Sequence, residues 1–151
     1  MTTHANSIDE LRALVGTHLG FGDYRTVTQE QVNLFAEATD DHQWIHVDPE
    51  RAAAGPFGHT IAHGYLTLSL IPALLNGVMK VDNVKMVVNY GTNKVRFTAP
   101  VPVGSQVRAG ATLASVEEVP DGVQIAMDVT VEVKDAAKPS CFAQVVSRLY
   151  F

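Results

Sequence analysis

From Val123 to Lys134 every odd position is apolar and the even positions are mostly polar. That period of two predicts a long strand with one buried face. Val107, Ala109, Ala111 and Leu113 repeat the pattern more weakly. Two long strands, Arg108–Glu118 and Gln124–Lys134, are therefore expected near the centre of a sheet, joined by a turn at Pro120-Asp121-Gly122. Lys138-Pro139 predicts a further turn before a strand from Cys141 to Tyr150, and Met86–Tyr90 and Val95–Thr98 predict two shorter strands. Pro100 and Pro102 fall between strands, where a missing amide does no harm.

The first half of the chain has a helical period instead. Ile8, Leu11, Leu14 and Val15 share one helical face, punctuated by Gly16 and Gly20. Tyr24–Val27 predicts a short strand. Thr28, with Gln31 three residues on, predicts the start of a second helix that buries Val32, Phe35, Ala36 and Thr39 and stops near Asp40. Asp48-Pro49 predicts a third, short helix, with Asp as cap and Pro at the first helical position; Ala54-Gly55-Pro56 closes it. The intervening stretch from His42 to His46 reads as loop. Gly64 to Leu75 is apolar on nearly every side, which predicts one helix buried all round, bent or interrupted at Pro72 and stopped by Asn76-Gly77.

Helices followed by an antiparallel meander predict an α+β fold, with one long buried helix packed against a curved sheet. A sheet of that kind has open edges that call for a cover, so a homodimer is expected. The 151 residues suit a single domain spanning 1–151. A hydrophobic content of 46% with 18% charged residues is that of a folded chain. The net charge of −5 and the scattered Lys and Arg argue against nucleic acid. The polar N-terminus has no apolar signal core, and no apolar run is long enough for a membrane span, so a cytoplasmic address is expected. The single cysteine, Cys141, excludes an internal disulfide framework and reads as a small buried strand side chain.

Chemistry concentrates between residues 40 and 69. Four of the six histidines, His42, His46, His59 and His63, fall there with Asp40, Asp41 and Asp48. His42/His46 and His59/His63 are each four apart, a spacing that can place two metal ligands on one helical face. There is no HExxH and no cysteine pair to complete a ligand set, so neither metal nor cofactor is expected. The more specific reading is an acid–base pair, Asp41 with His46, able to hold one water between them. Trp44 and Ile45 lie between the two and are expected to dry the site. The Gly64 amide, at a helix start, lacks an internal partner and can polarise a carbonyl. Such parts add water to, or remove it from, an activated carbonyl compound. His63 is a second candidate for orienting this turn. Ser69 either faces the substrate or bonds its own backbone.

The segment Phe35-Ala-Glu-Ala-Thr-Asp-Asp41-His-Gln43-Trp44-Ile-His46, with Asp48 and Ala52 following, resembles the MaoC-like (R)-specific enoyl-CoA hydratases, or hydratase 2, of the hot-dog superfamily. Its wording also resembles the NodN-like branch of that family. Gly55 to Ser69 resembles the family's helix-opening segment, and Asn93 to Gly104 its strand and turn leading to the long sheet. The resemblance covers nearly the whole chain. It implies a hot-dog fold and hydration of trans-2-enoyl thioesters, carried by coenzyme A or acyl-carrier protein, to (R)-3-hydroxyacyl thioesters, or the reverse dehydration. It puts the family's aspartate and histidine on Asp41 and His46 and its glycine on Gly64. Three positions depart from the pattern: Asp40 replaces a glycine, Gln43-Trp44 replaces Asn-Pro, and Pro72 stands where some hydratases have a serine. A hot-dog thioesterase, or a non-catalytic acyl-binding subunit of a dehydratase complex, are the alternatives. The Asp-x4-His spacing followed by His-Gly favours the hydratase.

Overall fold

The computed structural model describes residues 1–151. In chain order the elements are β1 (Thr3–Ala5), α1 (Ile8–Ala13), β2 (His18–Phe21), β3 (Arg25–Thr26), α2 (Gln29–Thr39), α3 (Trp44–Val47), α4 (Pro49–Ala53), α5 (Gly64–Ser69), α6 (Ile71–Leu74), β4 (Met79–Val81), β5 (Met86–Phe97), β6 (Gln106–Val119), β7 (Gly122–Val133) and β8 (Cys141–Tyr150). The main sheet runs β2-β6-β7-β8-β5, with β3 also paired to β6. Its strand pairs are antiparallel. The architecture is α+β and is that of the hot-dog fold, with α5 and α6 laid against a curved antiparallel sheet.

The period of two places the core. Val107, Ala109 and Ala111 of β6, Val129 and Val131 of β7, and Cys141 and Ala143 of β8 bury one face against Val32 of α2 and Leu66, Ile71 and Leu74 of α5 and α6. Alanine at 109, 111 and 143 lets the helices approach the strands closely. A second cluster, around Leu11, Leu19, Leu113, Val123, Ile125 and Leu149, closes the other end. Cys141 is fully buried, and loss of solvent pushes its thiol up to about 11. No helix is long and apolar enough to cross a membrane.

Several elements differ from expectation. The stretch from Gly64 to Leu75 is two short helices, α5 and α6, separated at Leu70, with Pro72 in the first turn of α6. It is not buried all round: Leu66, Thr67, Ile71 and Leu74 face the core, whereas Tyr65, Ser69, Pro72 and Ala73 are exposed. Proline 72 has no amide to donate, so the helix restarts rather than runs through. The two short strands at 86–90 and 95–98 are one strand of twelve residues, β5, whose register shifts between Asn89 and Gly91 and between Thr92 and Lys94. Such bulges curve a strand without ending it. β1, β2 and β4 carry no readable period, being three or four residues long, and are held by pairing: β1 with β4, and β2 with β6.

Candidate active site

Two adjacent turns bring the reactive residues together. α2 begins as expected, with the Thr28 hydroxyl accepting from the Gln31 amide. It ends at Asp40, which adopts a left-handed conformation (φ 59°, ψ 27°). That conformation favours glycine, the residue the resemblance expects there. The sharp turn also separates the two neighbouring carboxylates. Asp40 has a 99% exposed side chain with an oxygen 3.3 Å from His42 Nδ1, while Asp41 turns towards His46 and His63.

His42–His46 is not all loop. Residues 44–47 form a single helical turn, α3, with His46 in its last half. The turn stops because Asp48 precedes Pro49 and is pushed out of helical geometry (φ −118°, ψ 88°). The Asp48 side chain then caps α4 by accepting from the Arg51 amide, as the sequence predicts. Trp44 does not dry the site as expected. Its ring packs beside Gly55, and the Arg51 guanidinium lies 4.4 Å from its centre.

His46 is buried and held from both sides. Its Nδ1–H donates to the Ile61 carbonyl at 2.7 Å, and the Ile61 amide donates to the Ile45 carbonyl at 3.0 Å. A carbonyl can only accept, so the hydrogen bond fixes the tautomer and leaves the Nε2 lone pair free. Burial, as the main cause, holds the His46 pKa below its ordinary value, with nearby His63 acting in the same direction. Gln29 ties the backbone of the same two turns: its amide donates to the His46 carbonyl at 2.8 Å and its oxygen accepts from the Thr60 hydroxyl at 2.7 Å.

His63 is 2% exposed and lies against the His46 ring, with centres 3.9 Å apart and planes at 24°. Its Nε2–H donates to the Asp41 main-chain carbonyl at 2.9 Å, which anchors the Asp41 turn. Its Nδ1 has no partner. A carboxylate oxygen of Asp41 and one ring nitrogen each of His46 and His63 all lie within 4.8 Å of one another. The spacing pairs His42/His46 and His59/His63 are both split, because His42 and His59 remain on the surface. Three residues able to bind a metal therefore stand close together, but the stacked rings do not suit a shared ion. Imidazole lone pairs lie in the ring plane, and two nearly parallel planes do not meet within about 2 Å of both nitrogens, the usual metal–nitrogen distance.

His46 and Gly64 line one open cavity of about 350 Å³, together with Phe57, Ile61, Phe97 and Pro100. Gly64 opens α5, and a Cβ there would sit 2.7 Å from the Phe97 ring. Ser69 stands elsewhere. Its hydroxyl donates to the Tyr65 carbonyl at 2.7 Å, one of the two alternatives read from sequence. It borders a second, larger cavity of about 550 Å³, lined by Leu68, Ile71, Leu75, Val87, Met127 and Val145 among others. Phe57, Phe97 and Ser140 enter the smaller cavity with no sequence signal of their own. Only Phe97 had an indirect one, in the glycine it covers.

The chain is similar to known proteins along nearly its whole length. The chain is 57% identical over 143 residues to 3-hydroxyacyl-thioester dehydratase Z of Mycobacterium tuberculosis, covering 94% of this chain and 95% of that protein. It is 40% identical over 151 residues to nodulation protein N of Rhizobium leguminosarum, covering 98% and 94%. The (R)-hydratase from A. caviae shares the fold, with a TM-score of 0.69 at 24% identity over 89% of this chain and 96% of that one. The profile of the MaoC like domain matches residues 10–137, and the chain belongs to the MaoC-like dehydratase family.

Proposed function

We propose that this chain is a hydro-lyase that interconverts trans-2-enoyl and (R)-3-hydroxyacyl thioesters by adding or removing water. The observation that carries the reading is the convergence of the Asp41 carboxylate on His46, which lines the cavity where Gly64 opens a helix. A separation within 4.8 Å is one that a single water spans with two ordinary hydrogen bonds. The thioester carbonyl accepts from the Gly64 amide, and the water oxygen bonds to C3. The pair takes one proton from that water and returns a proton to C2, while the negative charge passes through the thioester oxygen. A neutral His46 is the form that accepts, and burial keeps it neutral at ordinary pH. His63 holds the Asp41 turn in place through its main-chain carbonyl.

The acyl chain runs along the seam between α5–α6 and the sheet, from the small cavity towards the larger apolar one. Both cavities border α5, through Gly64 and Thr67 in one and Leu68 and Ser69 in the other. The working form is a homodimer closed on β5. That strand forms one edge of the sheet and leaves Met86, Val87, Val88 and Tyr90 exposed, an apolar edge of the kind that proteins normally cover. The direct test is loss of enoyl-thioester absorbance with crotonyl-CoA and longer enoyl-CoAs, followed by chiral analysis of the product. Thiol release without hydration would replace the reading with a thioesterase, and an (S) product would overturn the stereochemistry. Light scattering of the active protein should give twice the chain mass.

A further inference from the structure

Ser140 immediately precedes β8 and is 2% exposed. Both of its backbone groups are engaged: its amide donates to the Val131 carbonyl at 2.8 Å, and its carbonyl accepts from the Thr98 amide at 3.0 Å. Its position is thus set by the sheet. Its hydroxyl, however, is buried with no hydrogen-bond partner. Buried hydroxyls are nearly always paired, and serine ordinarily finds a nearby backbone carbonyl. The other hydroxyls lining the same cavity do so: Thr67 donates to His63 and Thr98 to Pro139. An unused donor is therefore held beside the cavity that contains His46 and Gly64.

The chemistry of the proposed reaction has a vacancy of matching kind. Charge develops on the thioester oxygen as water adds to C3, and that oxygen has two lone pairs to satisfy. The Gly64 amide serves one. The helix side chains offer no second donor, since residue 72 is proline and the Thr67 and Ser69 hydroxyls are given to the His63 and Tyr65 carbonyls. Asp41 and the free nitrogen of His46 are engaged by the water. The remaining lining of the cavity is largely apolar, from Phe57, Ile61, Phe97 and Val101. We infer that the Ser140 hydroxyl is the second donor to the thioester oxygen, opposite the Gly64 amide. This rests on the hydratase reading above.

Ser140→Ala removes an unpaired buried hydroxyl and adds nothing. The melting temperature should hold or rise, because no protein hydrogen bond is lost. Turnover of crotonyl-CoA should fall on the order of a hundredfold, the usual effect of removing one donor from such a site, with little change in KM. Ser140→Thr, which keeps the hydroxyl, should recover most of the lost turnover. Infrared spectroscopy of bound butyryl-CoA, ¹³C-labelled at its carbonyl, separates contact from indirect effects: its carbonyl band should move to higher frequency in Ser140→Ala. Turnover within about twofold of the parent, with an unmoved band, would overturn the assignment and leave the hydratase reading intact. So would a fall in melting temperature that accounts for the lost activity. A moved band in a protein that hydrates no enoyl thioester would do the reverse, leaving the Ser140 contact standing and the hydratase reading overturned.

Discussion

The two cavities beside α5 differ in what lines them. The smaller has His46, Gly64 and Ser140 on its wall, with Asp41 at hand. The larger is lined by apolar side chains, and its polar residues are Ser69, Asn89, Thr92 and Ser147. Volume alone would pick the second as the site, yet no acid–base pair borders it. Reactivity depends on where free lone pairs and donors converge, whereas room decides only what can be accommodated.

If this division is right, the largest effects belong to the small cavity. Asp41→Asn and His46→Gln should each lower kcat by at least about a hundredfold on every chain length, the scale of lost acid–base catalysis. Circular dichroism and melting should remain those of a folded protein. Near-parent turnover in either variant would dissolve the distinction between the cavities. A bulky residue in the large cavity should act selectively. Val145→Phe is expected to cut kcat/KM for decenoyl-CoA about tenfold, by the order of free energy that a displaced run of methylenes represents, and to leave crotonyl-CoA within about twofold. Equal losses on both substrates would mean that the acyl chain lies elsewhere.

The pH profile sharpens the picture further. Because His46 must be neutral to accept a proton and its folded pKa lies below the ordinary value, activity should fall only as pH drops below the usual histidine range of about 6.5. An acidic limb above that value would assign the loss to another group. The smallest effect is expected at Asp40. Asp40→Gly removes a side chain from a left-handed position and should stabilise the fold by about 1 kcal/mol, seen as a higher melting temperature. Turnover and the acidic limb should stay unchanged, since the Asp40 carboxylate faces solvent and His42.

How much of this was legible in the sequence depended on how local each cause was. β7 and β8 end within a residue or so of where alternation places them, because a half-buried strand writes its two faces directly into the sequence. β5 was divided in two because Asn89, Gly91 and Asn93 interrupt the pattern, and because an edge strand exposed along nearly its whole length has little buried face to register. The α5–α6 stretch misled in the opposite direction, since apolar residues at 65 and 73 look buried on paper. The approach of Asp41 to His46 was legible through a motif. The stack of His46 on His63 was not, because sixteen intervening residues separate rings that only tertiary contact brings together. Ser140 follows a proline and reads as part of a turn; its isolation becomes visible only when every neighbour's hydrogen bonds are known.

The ties around His46 also make the site depend on tertiary docking. Gln29 joins a helix start to Thr60 and His46, Ile61 locks the imidazole, and Ala62 is in turn bonded to Val101 beyond the edge strand. Each tie closes a loop of fifteen residues or more, so its entropy is lost before its bond is gained. The imidazole thus reaches its working tautomer only after segments from three parts of the chain have docked. A molecule with its strands paired but these turns undone would be nearly native in shape and chemically silent, so an intact sheet is no measure of an intact site.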